Sequence, residues 1–251
     1  MVHFVGAGRG AADLITVRGA RLLGEADGII YAGSLVNPAL LESARADATL
    51  LDSARMTLED VIGVIRDAEA RGKTTVRLHT GDSSVYGAVR EQFDALDALG
   101  IEYDVCPGVS SFCGAAASLR AEYTVPGVSQ TVIISRMAGR TPVPEREGIR
   151  ELAAHGATMV LFLSAGLLEG LQRELIVGGY APETPAAIVY RATWPDERVL
   201  RCRVGDLYET ARQNGIDRTA LIVVGECLGE SAERSKLYDP GFSTGVREAK
   251  P

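Results

Sequence analysis

Long apolar runs are missing from this chain. No stretch approaches the roughly 20 residues that a membrane-crossing helix needs, so a membrane span is not expected. The first residues, Val2-His3-Phe4-Val5, lack a basic run ahead of an apolar core. That argues against a secretory leader and gives the expectation of a cytoplasmic protein. Cysteine is scarce: Cys106, Cys113, Cys202 and Cys227 are scattered with no Cys-x-x-Cys pair, which reads as buried free thiols. His3, His79 and His155 are the only histidines, and none stands at metal-ligand spacing from a cysteine. No protein-bound metal is therefore expected. His79 ends an apolar run and reads as a satisfied core imidazole. Positive charge is in deficit, with 26 Lys+Arg against 33 Asp+Glu and a net charge of −7. A nucleic-acid binder usually carries a broad basic face, so nucleic acid is not an expected partner. A local basic cleft for a small polyanion is still allowed.

What is present is an ordinary globular composition, 46% apolar and 24% charged, on 251 residues. That length is enough for one large domain or two ordinary ones. Short β-rich apolar runs at 2–5, 28–31, 74–79 and 102–105 read as buried strands. Amphipathic stretches at 16–25, 57–71 and 85–99 read as the helices between them, with Thr57 and Asp60 opening the second. Gly72 and Gly100 stand where helix C-caps are wanted. A second set follows, with strands at 130–135, 158–163, 186–190, 199–203 and 220–225 and helices at 145–154, 167–178 and 206–214. The connection from 190 to 199 is too short for a parallel crossover, so a hairpin and a mixed sheet are expected there. The predicted organisation is an α/β domain over 1–120, a linker over 121–129 and a second α/β domain over 130–228. Residues 229–251 read as a polar, poorly ordered tail.

Three loops carry chemistry. Gly6-Ala7-Gly8-Arg9-Gly10 follows the first strand, where glycines admit positive φ and close approach. A dinucleotide fold would need its third glycine one place later and an acid after the second strand. That strand ends instead at Tyr31-Ala32-Gly33. Thr80-Gly81-Asp82-Ser83-Ser84-Val85-Tyr86-Gly87 lies at a strand's carboxyl end, where α/β folds bind ligands. There Asp82 can meet a ribose or a cation, or else cap a helix, and Tyr86 offers an aromatic wall. Pro107-Gly108-Val109-Ser110-Ser111 precedes a small-residue helix at 114–118, and its amides and hydroxyls suit carboxylates or ribose oxygens.

With Ala32-Gly33-Ser34-Leu35-Val36, these loops resemble the tetrapyrrole (corrin/porphyrin) methylase family in order and spacing, from Val2 to about Leu228. The words Tyr31-Ala32-Gly33-Ser34-Leu35-Val36, Val128-Ser129-Gln130-Thr131-Val132-Ile133 and Gly139-Arg140-Thr141-Pro142-Val143-Pro144-Glu145 resemble the branch acting at C-11 of precorrin-4-type tetrapyrroles. The resemblance implies a homodimer of two α/β domains, an N-terminal mostly parallel sheet and a C-terminal mixed sheet. It also implies S-adenosyl-L-methionine folded into a trough between the domains, as methyl donor in cobalamin biosynthesis. Cofactor contacts carried over are Thr80, Gly81, Asp82 and Val85, then Ser110 and Ser111, then Leu163, Ala192, Thr219 and Ala220. Arg9 and Ser83 stand where the family usually has prolines, which leaves both loops more flexible, and Leu163 stands where methionine is frequent. Arg136, with Arg9 or Arg191, is expected to hold the acceptor's carboxylates. No catalytic base is identified beyond Asp82 and Tyr86 as candidates, and the acceptor can be metal-free or cobalt-bearing. The rival readings are a methylase acting on another precorrin, an NAD-dependent oxidoreductase and a non-catalytic corrinoid-binding protein.

Overall fold

The computed structural model describes residues 1–230 and 235–249. The chain divides into two compact units, one built from Met1–Gly114 with Ala192–Asp196, the other from Ala115–Arg191 with Glu197–Pro251.

The first unit holds five strands: β1 Val2–Gly6, β2 Gly28–Tyr31, β3 Thr49–Asp52, β4 Thr75–His79 and β5 Tyr103–Cys106. They are parallel throughout, in the order β3-β2-β4-β1-β5. Alternation along the strands feeds two cores. Val5, Val76 and Leu78 pack with Leu22 and Leu23 of helix α1 Val17–Glu25. Val2, Phe4 and Ile30 pack with Val61 and Ile65 of α2 Leu58–Glu69 and Leu96 of α3 Arg90–Leu99. Burying both faces is what an all-parallel sheet requires. Thr57 caps α2 as expected: its hydroxyl accepts from Asp60 N–H at 3.2 Å while Asp60 accepts from Thr57 N–H at 2.9 Å. Gly100 caps α3 in the left-handed conformation.

One expectation for this unit needs correction, and one strand was not expected at all. The third helix starts at Arg90, not at 85, because Tyr86 (φ 54°) and Ala88 (φ 47°) are left-handed and cannot continue a right-handed helix. Strand β3 gave no signal in the sequence; it is a largely exposed edge strand without apolar alternation.

The second unit holds β6 Val132–Arg136, β7 Thr158–Phe162, β8 Pro185–Tyr190, β9 Arg198–Arg203 and β10 Ala220–Val224, in the order β6-β7-β10-β8-β9. Only β6 and β7 are parallel; β8 and β9 form the expected hairpin, and the sheet is mixed. Helix α4 Ser111–Leu119 runs from the first unit into the second. Helices α5 Ile149–Ala153, α6 Leu168–Gly178 and α7 Leu207–Gln213 bury Ile149, Leu171, Leu175 and Leu207 against Met159, Leu161, Ile188 and Ile222. The helix expected over 145–154 is broken at Gly148 into a short 3₁₀ turn and α5.

The cysteine expectation holds in part. All four thiols are free, but Cys113 is exposed and Cys202 only half-buried. Among the described residues no helix is long and apolar enough to cross a membrane. Of the expected polar tail, 231–234 and 250–251 lie outside the described residues. The rest carries one 3₁₀ turn, Lys236–Tyr238, with Arg247 donating to the carbonyls of Leu237 and Asp239.

Candidate active site

β4, β1 and β5 are parallel neighbours, so their carboxyl ends, and the three glycine loops that follow them, lie along one edge of the first sheet. The loops are tied to one another through their backbones. Gly8 N–H donates to Gly81 C=O at 3.2 Å, and Gly81 N–H returns to Gly8 C=O at 2.8 Å. Gly8 and Gly81 reach this pairing at φ 72° and 66°, where L side chains are strained. A Cβ on Gly6 would stand 2.6 Å from Gly108 Cα and 2.7 Å from the Gly81 carbonyl oxygen. Three strand ends thus meet at a junction that leaves no room for a methyl group.

Asp82 locks the same junction. One carboxylate oxygen accepts from the N–H of Ser84 at 2.9 Å and from the Ser84 hydroxyl. The other accepts from Gly108 N–H at 2.8 Å. Burial pushes its pKa up, but the Ser84 hydroxyl and the two backbone N–H groups outweigh that, and the net shift is downward. Asp82 is therefore a fixed carboxylate at neutral pH, suited to a cationic or hydroxylic ligand and poor as a proton acceptor. Thr80 is half-buried, and Ser110 and Ser111 are buried at the start of α4. The glycine loop after β1 meets no helix N-terminus. It passes into a 3₁₀ turn at Ala12–Leu14, and α1 begins only at Val17. A dinucleotide pyrophosphate needs that helix end, and the oxidoreductase reading loses its physical basis here.

In the second unit, the register of β10 against β7 and β8 brings three further candidates to one sheet end. Leu163 follows β7, Arg191 follows β8, and Thr219 precedes β10; Arg191 N–H donates to Thr219 C=O at 3.0 Å. Leu163 (φ 52°), Arg191 (φ 47°) and Thr219 (φ 55°) are all left-handed, and Leu163 is 70% exposed. Ala220 is buried. Ala192 is buried too and belongs to the first unit. Seven non-glycine residues among those described have positive φ, and four of them (Tyr86, Leu163, Arg191 and Thr219) were candidates from sequence. Such outliers concentrate at functional sites, because only a surrounding structure that over-determines them keeps them there.

The match to family models decides the identity: residues 1–208 fit the model for tetrapyrrole (corrin/porphyrin) methylases. The chain belongs to the tetrapyrrole methylases. This methylase is 50% identical over 249 residues to the cobalt-precorrin-4 C(11)-methyltransferase of Methanocaldococcus jannaschii, covering 99% of this chain and 96% of the relative. It superposes on the X-ray structure of a cobalamin biosynthetic enzyme, the cobalt precorrin-4 methyltransferase CbiF, with TM-score 0.90 and 44% identity, over 91% of this chain and 96% of that one. A uroporphyrin-III C-methyltransferase from Thermus thermophilus, solved with S-adenosylhomocysteine, matches with TM-score 0.77 and 27% identity, over 90% and 98% of the two chains. The chain is a methyltransferase of the S-adenosylmethionine-dependent kind.

Other candidates in this methylase stand differently. Arg136, at the end of β6, donates through Nη1 to Thr141 C=O at 3.2 Å and through Nη2 to Pro142 C=O at 2.7 Å, so it holds its own loop. Arg9 is half-buried between Gly8 and Gly10, and Tyr86 is 46% exposed. His79 is a core residue stacked on Phe4 at 6.0 Å, but it is not satisfied: Nε2 is buried with no hydrogen-bond partner among the described residues. Sequence reasoning missed Asn37 and Thr193. The Asn37 amide donates to Gly10 C=O at 2.6 Å, and the Thr193 hydroxyl accepts from Ala11 N–H at 3.2 Å. No periodicity or motif marks such long-range side-chain contacts.

Proposed function

We propose that this chain transfers a methyl group from S-adenosyl-L-methionine to C-11 of precorrin-4 or cobalt-precorrin-4 in cobalamin biosynthesis, as a cytoplasmic homodimer. The observation that carries this reading is the 50% identity, over nearly the full length, to the cobalt-precorrin-4 enzyme, together with the locked glycine loops. The donor supplies a sulfonium methyl group with a good leaving group, so neither a protein-bound metal nor a covalent enzyme intermediate is required.

The residues present fit that donor. The carboxylate of Asp82 and the hydroxyls of Thr80, Ser110 and Ser111 match its ammonium and ribose groups in chemical type. Gly81, without a side chain, lets a ligand approach the backbone, and Val85 adds apolar contact. Leu163, Ala192, Thr219 and Ala220 complete the contacts, mostly through backbone and apolar surface. What the protein contributes is alignment and exclusion of water, which an in-line displacement chiefly needs. Pre-fixed loops serve this, because no ordering of glycine segments remains to oppose binding. Arg9 and Arg191 hold the acceptor's acetate and propionate carboxylates. Arg136 joins them by releasing the carbonyls of Thr141 and Pro142. The lowered pKa of Asp82 makes it a weak base and Tyr86 accepts a proton only as its phenolate, so water receives the proton lost from the ring.

Two tests address this reading. Incubation with labelled methyl donor and both metal-free and cobalt-bearing precorrin-4 should place the label at C-11 by NMR. Label at another carbon, or none with either acceptor, would overturn it. Asp82→Asn should weaken S-adenosylhomocysteine binding about tenfold by calorimetry, because an amide group cannot accept at both oxygen positions and one loop tie becomes a donor facing a donor. Affinity within twofold of the parent would remove Asp82 from the cofactor site.

A further inference from the structure

Arg9 stands between two glycines at φ 72° and 80°, a setting with no intrinsic stiffness. Its backbone is nevertheless held from both sides. The Thr193 hydroxyl donates to Arg9 C=O and accepts from Ala11 N–H at 3.2 Å, so one side-chain oxygen spans the peptide groups on either side of Gly10. A Cβ on Gly10 would collide with that hydroxyl oxygen and stand 2.7 Å from Ala192 C=O, so the two segments touch directly. Asn37 closes the other side through its bond to Gly10 C=O. Thr193 itself is β-branched at φ 67°, a conformation such residues avoid unless something holds them there. It lies in Ala192–Asp196, the segment between β8 and β9 that belongs to the first unit.

We infer that Thr193 is a positioning residue for the methyl acceptor: its hydroxyl fixes the Gly8–Gly10 backbone so that the Arg9 guanidinium is aimed at an acceptor carboxylate. The inference rests on the reading of Arg9 as a carboxylate ligand. A clamp that acts only on stability would lower the melting temperature and leave the kinetic constants in their original ratio. A clamp that aims Arg9 changes acceptor binding selectively, because an arginine fork discriminates by direction.

The test uses the full chain with cobalt-precorrin-4 and metal-free precorrin-4 as acceptors, and S-adenosylhomocysteine as calorimetric probe. Thr193→Val keeps the shape and removes both bonds. It should raise the acceptor KM about tenfold, the scale of one charge-assisted hydrogen bond, with kcat and S-adenosylhomocysteine affinity within twofold. Thr193→Ser should restore the parent KM. Thr193→Val combined with Arg9→Ala should be no worse than Arg9→Ala alone, since both act through one guanidinium. Multiplying effects in the double variant, or a KM unmoved by Thr193→Val while Arg9→Ala raises it, would overturn the positioning role and leave Arg9 as a ligand. An acceptor KM unmoved by Arg9→Ala removes the carboxylate reading itself, and the inference with it. If Thr193→Val does not fold, Thr193→Ala carries the same comparison.

Discussion

Replacing Gly108 by alanine should cost this protein about 3 kcal/mol of stability or more, and with it measurable binding of S-adenosylhomocysteine. The added Cβ would land on the Gly81 carbonyl oxygen and 2.7 Å from Gly6 Cα. Those are main-chain atoms at the ends of β4 and β1, not the tips of side chains, so no rotamer change relieves the contact. Relief means separating strand ends that are paired over their whole length. Overpacking a close-packed region costs about 1–3 kcal/mol and more where the backbone must shift. The same movement would pull Gly108 N–H away from Asp82. Gly63→Ala, in α2, is the matched control. Nothing lies within 4 Å of its Cβ, and alanine there should stabilise by up to about 1 kcal/mol. Chemical denaturation of both variants decides the matter; a Gly108→Ala protein as stable as the parent would show that the loops part easily.

The second large effect concerns acid. His79 is 4% exposed, and burial, helped by the nearby Arg77 charge, depresses its pKa from 6.5 to about 3. Arg77 is itself buried, with no carboxylate partner among the described residues. It donates to Gln92 at 3.1 Å and to Ile30 C=O at 3.0 Å, and burial lowers its pKa to about 10. A neutral imidazole in the folded chain and a protonated one in the unfolded chain mean that the unfolded state binds more protons below pH 6.5. The contribution of His79 is therefore fully present above pH 6.5 and is lost as pH falls toward 3. At pH 4 that loss is about 3 kcal/mol. His79→Leu should lack it. The stability difference between parent and variant should shift by that amount, in favour of the variant, from pH 7 to pH 4 in urea titrations. Parallel pH curves would mean that the imidazole is protonated in the folded chain.

Much of the fold was legible because the strands of the first unit are short β-branched runs bounded by turn residues, and the helices between them have clean apolar faces. Thr57 and Asp60 named their own cap, and the brief link between β8 and β9 could only be a hairpin. What stayed hidden depends on φ or on distant partners. The left-handed Tyr86 and Ala88 look like ordinary helix residues in sequence. Strand β3 has no fully buried residue to announce it; only Leu51 packs against the core. The loops after β1, β4 and β5 were visible as candidate ligand loops, since glycine, serine and aspartate at strand ends carry that meaning. Their dependence on one another was not, because Gly6, Gly81 and Gly108 are far apart along the chain. His79 shows the limit most clearly: an apolar run correctly predicts burial, yet says nothing about whether both ring nitrogens find partners.

The strand order has a consequence for how the protein is made. β1 emerges first but lies between β4 and β5, so it waits some seventy residues for its first neighbour. Ala192–Asp196, which closes the first unit, is synthesised only after the 191 residues that precede it. A nascent chain stalled at residue 114 would therefore carry all three glycine loops yet lack the threonine that steadies one of them. The first unit is thereby completed only after most of the second unit's strands have been made.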